Sequence, residues 1–110
     1  MAWKAIHRFA RISPRKARLV ADLIRGRRCD DAIALLGFTH KRASVLVDKV
    51  LKSAMASANE QEADMKRLFV RDAYVDPGPI IKRFRAKDRG RAHSIFKRTS
   101  HIVVAVDEKG

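Results

Sequence analysis

The chain has 110 residues, of which 46% are hydrophobic, and its 25 Lys and Arg against 12 Asp and Glu give a formal net charge of +13. This length fits one domain, and the apolar fraction excludes a chain that is disordered throughout. No run approaches the roughly 18 apolar residues of a membrane span, and no secretory signal is recognisable. The single cysteine, Cys29, cannot form an internal disulfide. We therefore expect one cytoplasmic domain that does not contact a membrane.

The positive charge is concentrated at the two ends of the sequence. Residues 1–29 contain nine Lys/Arg and one acid, residues 30–77 contain seven and eight, and residues 78–110 contain nine and three. The segment charges are therefore +8, −1 and +6. A neutral middle with two cationic ends indicates a folded domain that binds a polyanion.

The first elements are an edge strand over residues 3–9 and a helix that follows it. Ser13, Pro14 and Gly26 have the positions of a helix N-cap, a first helical residue and a left-handed residue past the end. The apolar residues of this helix share one face: Ala17, Val20, Ala21 and Ile24. A mostly basic ridge lies on the opposite face: Arg15, Arg18, Asp22 and Arg25.

The first turn of this helix contains two cations, Arg15 and Lys16, where the helix dipole favours acids by about 0.3–1 kcal/mol per charge. A bound phosphate would remove the conflict, because backbone N–H groups and both cations would share one anion. The alternative is that both exposed side chains extend into water at little cost. The segment SPRK at residues 13–16 is also similar to basic segments that enter DNA minor grooves, so a DNA-binding module is a second hypothesis.

Two further helices are predicted in the neutral middle of the chain. A short one covers residues 30–38, capped by Asp30 or Asp31, and the longest covers residues 39–60, opened by Thr39. The longest helix has one apolar face, formed by Ala43, Leu46, Val47, Val50, Leu51, Ala54 and Ala58. We interpret this face as part of the core.

Two strands complete the predicted body, over residues 68–76 and 101–106, where β-branched and aromatic residues are frequent. Residues 59–66 are a polar connection before the first of them. The order of elements predicts an α+β fold. In it, three helices pack on a small, largely antiparallel three-stranded sheet, and a long basic β-hairpin protrudes.

The predicted hairpin covers residues 79–98 and has no apolar face to pack on a core. Its cations are Lys82, Arg83, Arg85, Lys87, Arg89, Arg91, Lys97 and Arg98. Because successive strand residues point to opposite faces, cations lie on both faces of both arms, with a turn at Asp88, Arg89 and Gly90. A two-stranded hairpin is marginal in water. The segment is therefore either a mobile loop or an element that is surrounded by anions, and folded RNA is anionic on several sides.

Three segments also show a specific similarity: ARISPRKARLVADLIRG at residues 10–26, KRASVLVDKVLKSAMASANE at 41–60, and VDPGPIIKRFRAKDRGRAHSIFKRTSHIVVAV at 75–106. Together they resemble the bacterial-type large-ribosomal-subunit protein 22 family, in the same order and over nearly the full chain. The resemblance implies a structural protein of the large ribosomal subunit that supports its assembly. It also implies a small body on the outside of the subunit, and a hairpin that runs through ribosomal RNA (rRNA) and lines the nascent-peptide exit tunnel.

The resemblance and the basic ends together define a predicted site. We expect one domain of residues 1–110, with a body of residues 1–78 and 99–110 and a hairpin of residues 79–98. The predicted rRNA contacts are Arg11, Ser13, Arg15, Lys16, Arg18, Arg25, Lys82, Arg83, Arg85, Lys87, Arg89, Arg91, His93, Lys97, Arg98, Ser100 and His101. The implied tunnel-lining tip is Ala86, Lys87, Asp88, Arg89, Gly90, Arg91 and Ala92.

The implied partners are large-subunit rRNA, neighbouring ribosomal proteins and the nascent peptide at the tip, all in the cytoplasm. Two places depart from the family pattern. Asp88 stands where a basic or small residue is usual, and His93 and Ser94 stand where an acid and then a basic residue are common. These departures leave the fold intact and concern only contacts specific to the tip.

The sequence contains no pattern that indicates catalysis, a cofactor or a metal. Its four histidines are scattered, whereas structural zinc sites need closely spaced ligand pairs. Asp30 and Asp31 are better explained by helix capping than by paired acid–base chemistry, and Cys29 has no partner base nearby. We therefore predict a protein that is not an enzyme. A secreted, membrane-active cationic protein, the third hypothesis, is disfavoured by the missing signal.

Overall fold

A computed structural model describes the backbone of residues 2–87 and 91–109 and the side chains of residues 2–80 and 97–109. In chain order the elements are β1 (Ala2–Ala10), α1 (Pro14–Ile24), α2 (Cys29–Phe38), α3 (Arg42–Glu60), a 3₁₀ turn (Met65–Arg67), β2 (Leu68–Pro77), β3 (Ile81–Lys87), β4 (Arg91–Lys97) and β5 (Ser100–Glu108). Three helices pack on a three-stranded antiparallel sheet, which confirms the predicted α+β fold.

The sheet has the order β1-β5-β2, so β5 lies at its centre and β1 at an edge, as predicted. Both neighbours are antiparallel to β5, and Ser100 has a partner on each side, Ala10 on β1 and Pro77 on β2. The β1 ladder is irregular between His7 and Ala10. β1 and β2 therefore both end beside Ser100, the first residue of β5, and the chain enters β5 at this point from β4.

The core lies between the helices and one face of the sheet. All four predicted apolar positions of α1 are buried, and so are all those of α3 except Leu46, which is partly buried. On the central strand, Ile102, Val104 and Val106 are fully buried and face the helices. Many helix positions in the core are alanines, which allow the helices to approach the sheet closely.

The predicted start of α2 is wrong. The helix begins at Cys29, and its N-cap is Arg28, which makes no side-chain capping bond. Asp30 and Asp31 lie inside the first turn instead. There the carboxylates are stabilised by the helix dipole, which explains the same acids without a capping bond.

The predicted start of α3 is also wrong. Thr39 ends α2, and its hydroxyl donates to the backbone carbonyl of Leu35 at 2.8 Å. α3 begins at Arg42, and the hydroxyl of Ser44 donates to the carbonyls of Thr39 and Lys41 at 2.9 and 2.5 Å. The connection between the two helices is thus held by side-chain bonds to backbone carbonyls.

β3 and β4 form a separate two-stranded antiparallel sheet, with pairing from Ile81–Lys97 to Lys87–Arg91. The predicted turn residues Asp88, Arg89 and Gly90 lie outside the described residues. The length by which this hairpin protrudes from the body remains a prediction. None of the helices described is long and apolar enough to cross a membrane.

Candidate nucleic-acid interface

A surface groove of about 570 Å³ lies beside the N-terminus of α1. Its walls contain five cations from four separate parts of the chain: Arg11, Lys16, Arg42, Lys97 and Arg98. Ile12 and Ser13 complete the lining, and no acidic residue is among the described residues that form it. We call this feature the cationic groove. It offers an anion a concave surface of a single sign of charge.

The turn that carries Arg11 into the groove is fixed on both sides. Ser13 is the N-cap of α1, and its Oγ accepts a hydrogen bond from the Lys16 backbone N–H at 3.3 Å, as predicted. The Ser100 hydroxyl, which is fully buried, donates to the backbone carbonyl of Ile12 at 2.6 Å. The β1–α1 turn is therefore fastened to both α1 and β5, so the cations project from fixed positions.

A second concave surface, of about 410 Å³, continues around the same helix end. It is lined by Arg15, Arg18 and Arg98 together with Ser13, Pro14 and Pro77. Lys16 lies in the cationic groove and Arg15 in this second one, so the two cations of the first helical turn flank the helix N-terminus. This placement is compatible with the predicted phosphate at that turn, which stays a prediction.

The groove cations have no carboxylate partners among the side chains described. The ion pairs in that part of the chain are Arg25–Asp22 at 2.8 Å, Arg28–Asp30 at 3.8 Å, Lys52–Asp48 at 2.9 Å and Arg71–Asp107 at 3.4 Å. All of them lie outside the cationic groove. Repulsion between the clustered cations is thus not compensated within the body, and an external anion would relieve it.

Two of the predicted RNA-contacting arginines have partners inside the protein. Both Nε and Nη2 of Arg18 donate to the backbone carbonyl of Val75, at 3.2 and 3.0 Å. Arg25 donates through Nη2 to the carbonyl of Ala73 and to Asp22 Oδ1. Val75 and Ala73 belong to β2, which is an edge strand with carbonyls open to pairing by another chain. Part of the basic ridge of α1 therefore covers a sheet edge.

Arg42 is the groove residue that the sequence interpretation missed. It is the first residue of α3, and it meets the other cations because α3 packs beside the start of α1. A signal was present in the sequence: a Lys-Arg pair at a helix start, where the dipole disfavours cations, is the same feature that singled out Arg15 and Lys16.

The base of the hairpin is packed closely against the body. The Gly78 backbone N–H donates to the Thr99 carbonyl at 2.9 Å, and the Thr99 hydroxyl donates to the Pro79 carbonyl at 2.6 Å. Thr99 is only 3% exposed. We call these three residues the hairpin root.

Ser100 and His101, both predicted to contact rRNA, follow the hairpin root. Ser100 is completely buried, so its side chain fixes the wall of the groove and does not reach its surface. His101 is partly exposed; its Nδ1 accepts a bond from the Phe9 backbone N–H at 3.1 Å, and the two rings meet edge to face at 4.9 Å. The position of Ser100 therefore does not favour its predicted RNA contact, and the RNA contact of His101 stays a prediction.

Comparison with known proteins identifies relatives of this chain. The model of the family described as ribosomal protein L22p/L17e matches residues 5–107. The large ribosomal subunit protein uL22 of Syntrophus aciditrophicus (strain SB) is 54% identical over 110 residues, which cover 99% of this chain and 100% of that protein. The chain belongs to the L22p/L17e family. The resemblance drawn from the three sequence segments is confirmed.

The L22p/L17e family is a family of ribosomal structural proteins and not of enzymes. The one thiol of this member fits that description, because Cys29 is buried at the start of α2. Burial, followed by the charge of Asp30, raises the pKa of Cys29 to about 11, so the thiol is not activated as a nucleophile. The described residues contain no group of three His, Cys, Asp or Glu that could hold a metal ion.

The remaining predicted contacts of this L22p/L17e member lie on the hairpin. The side chains of Lys82, Arg83, Arg85, Lys87, Arg91 and His93 are outside the described residues, although their backbone forms the β3–β4 ladder. Arg89 is outside the described backbone as well, together with Asp88 and Gly90 of the predicted tip. Only Lys97 and Arg98, at the end of β4 and just after it, are placed in the groove.

Proposed function

We propose that this L22p/L17e family member is a structural constituent of the large ribosomal subunit that binds rRNA and supports assembly of the subunit. The observation that carries the proposal is the cationic groove, in which five cations without carboxylate partners converge and no acid is present among the described lining residues. Family membership, and the relative from Syntrophus aciditrophicus, which is a large-subunit protein, support the same conclusion.

The groove binds the RNA backbone through its phosphates. Cations from the β1–α1 turn, α1, α3 and the end of β4 approach one surface from different directions, as a folded RNA with phosphates on several sides requires. Such contacts fix position and orientation and read shape more than base sequence. Arg15 and Lys16, on either side of the α1 N-terminus, hold a phosphate through their side chains, at the end of the helix whose dipole favours an anion.

The hairpin extends this binding surface away from the body. Lys97 and Arg98 belong to both the groove and the predicted hairpin, so the groove is continuous with the ladder of β3 and β4. The hairpin residues that contact rRNA are Lys82, Arg83, Arg85, Lys87, Arg89, Arg91 and His93. Residues 86–92 line the exit tunnel, where they meet the nascent peptide, and neighbouring ribosomal proteins contact the body. Family membership supports these assignments.

The salt dependence of binding to large-subunit rRNA tests the groove. If about eight phosphates are neutralised, log affinity falls with log salt at a slope of about −6 to −7. The triple variant Lys16→Gln, Arg42→Gln and Arg98→Gln should bind more weakly, with a slope shallower by about 2–3. Its matched control changes the same net charge at exposed positions outside the groove: Lys49→Gln, Lys66→Gln and Lys109→Gln.

Two results would contradict this mechanism. One is a wild-type slope shallower than about −2, which would leave too few phosphate contacts. The other is equal weakening by the groove variant and the control, which would make net charge, and not the groove, responsible. In competition, folded rRNA should displace the protein from duplex DNA; a preference for the duplex would support the DNA-binding hypothesis instead.

The tip assignment needs a separate experiment on translating ribosomes. A photoreactive group attached to Arg89→Cys, in a Cys29→Ala background, should cross-link to the nascent chain. The same group at Lys49→Cys on the body should not. A cross-link of equal yield from both positions would refute the tunnel placement and leave rRNA binding by the groove untouched.

A further inference from the structure

A third groove, of about 440 Å³, lies between the first half of α1 and the start of α3. Three of its lining residues are apolar: Ile12, Leu19 and Ala43. The other three are the cations Lys16, Lys41 and Arg42, and no acid is among its described lining residues. Ile12, Lys16 and Arg42 also line the cationic groove, so the two grooves are adjacent.

We propose that this third groove binds the base of an unpaired nucleotide in the RNA whose phosphates occupy the cationic groove. The proposal rests on the proposed RNA-binding function and adds the kind of nucleotide that is recognised. A concave apolar surface with a few polar groups at its rim is the usual form of a small-ligand site. An apolar surface beside cations matches a nucleotide, because the flat face of a base stacks on apolar side chains and the ribose joins that base to a phosphate.

The exposed leucine distinguishes this groove from an ordinary solvent-facing patch. Leu19 is 56% exposed although it lies one position from the buried Val20 on α1. A single exposed leucine is common and needs no explanation. Here, however, the leucine faces a concave site whose other walls are two more apolar side chains and three cations, so a partner that covers it must be apolar and anionic at the same place.

An unpaired base fits this requirement better than a paired base or a protein. In a duplex the ring faces are covered by stacking, whereas bases in loops and bulges can be turned out against apolar side chains. A protein segment with an excess of Lys and Arg would be repelled by Lys16, Lys41 and Arg42. An acidic protein segment satisfies the charge and is the alternative that the test must exclude.

The test compares two exposed leucines on the same helix. Leu19→Ser removes the most exposed apolar side chain of the groove, and Leu23→Ser changes a residue that is 41% exposed and does not line the groove. The probe is a single-stranded RNA of about ten nucleotides that contains 2-aminopurine. Leu19→Ser should weaken its binding by about fivefold, and Leu23→Ser should change it less than twofold.

Three further readouts separate the loss of a base contact from a general defect. The salt slope should be the same in Leu19→Ser and wild type, because no phosphate contact is lost. Leu19→Met, which restores an apolar side chain, should bind as wild type does. Ultraviolet cross-linking of the same RNA carrying 4-thiouridine to the unmodified protein should yield peptides that contain residues 12–19 or 41–43, a result that does not depend on any variant.

Three outcomes would overturn the proposal. The first is binding by Leu19→Ser that equals wild type while the triple variant Lys16→Gln, Arg42→Gln and Arg98→Gln is still impaired. This result would refute the base site and leave the proposed function intact. Equal loss on a fully paired RNA duplex would show that Leu19 does not contact an unpaired base. Displacement of the single-stranded probe by polyglutamate, with loss of polyglutamate binding in Leu19→Ser, would assign the groove to an acidic peptide.

Discussion

Replacement of Gly78 by Ala should disrupt the hairpin root. A Cβ at this position would lie closer to the Thr99 Oγ1 than real Cβ contacts allow, and it would be 3.4 Å from ring atoms of His101. Thr99 is only 3% exposed, and its hydroxyl is already bonded to the Pro79 carbonyl at 2.6 Å. The side chain of Thr99 therefore cannot rotate away unless it gives up that bond.

The expected cost follows from the lost bond. A buried hydroxyl that loses its partner destabilises a protein by about 1–3 kcal/mol. The alanine also restricts the unfolded chain, which offsets this by about 0.4–1 kcal/mol. We expect a net loss of about 1–2 kcal/mol in the free energy of unfolding, and each kcal/mol lowers the Tm of a domain near this size by about 4–8 °C.

Thermal and urea unfolding of the full chain, followed by circular dichroism, measure this loss. In a Thr99→Ala background the further change Gly78→Ala should cost much less, because the clashing hydroxyl is gone. The control is Gly37→Ala in α2, where a Cβ meets nothing within 4 Å and the helix should gain about 0.5–1 kcal/mol. An undiminished penalty in the Thr99→Ala background, or wild-type stability for Gly78→Ala, would refute the steric argument.

Three other predictions concern the body. Ser100→Ala should lower the free energy of unfolding by about 1–3 kcal/mol in urea titrations, because the Ile12 carbonyl loses its buried donor. Burial and the charge of Asp30 raise the pKa of Cys29 from 9.0 to about 11. The protonated thiol therefore makes its full contribution to the free energy of unfolding below about pH 9, and this contribution declines as the pH rises towards 11. Urea titrations of Cys29→Ala should lack that decline, and identical pH profiles would contradict it. Replacement of residues 82–98 by a short turn should leave one cooperative unfolding transition, since the β3–β4 sheet is separate from the β1-β5-β2 sheet; loss of that transition would place the hairpin in the core.

Helix faces could be predicted from the sequence, whereas two helix starts could not. The period of the apolar residues identified the buried sides of α1 and α3, because apolar residues at the helical period share one face and that face packs on the core. At the α2–α3 connection, however, Thr39 can cap the start of one helix or bond back into the end of the other. Its hydroxyl bonds back to Leu35, a choice that depends on how the two helices pack and not on local sequence.

The candidate site shows the same division. Arg15 and Lys16 could be singled out because a cation in the first helical turn is unfavourable by itself. Arg42 joins them only through the packing of α3 beside α1, so its contribution required the tertiary structure. Periodicity also gave no sign that Arg18 and Arg25 turn towards β2. An arginine whose guanidinium group binds a backbone carbonyl and an arginine that extends into solvent have the same spacing in the sequence.

The arginines that the sequence predicts to contact RNA thus fall into two groups, and the structure separates the groups by their partners. Arg18 places two guanidinium donors on one carbonyl of the β2 edge, so that carbonyl is not available for pairing with another chain. A lysine at position 18 would preserve the charge but would lose the planar guanidinium group that makes both bonds. Arg98 has no such partner among the described residues, and at a phosphate a lysine can serve as a point charge. Net charge therefore describes the overall attraction of the protein for a polyanion, but under the proposed function the side chains that can bind RNA are those that the sheet edge leaves unused.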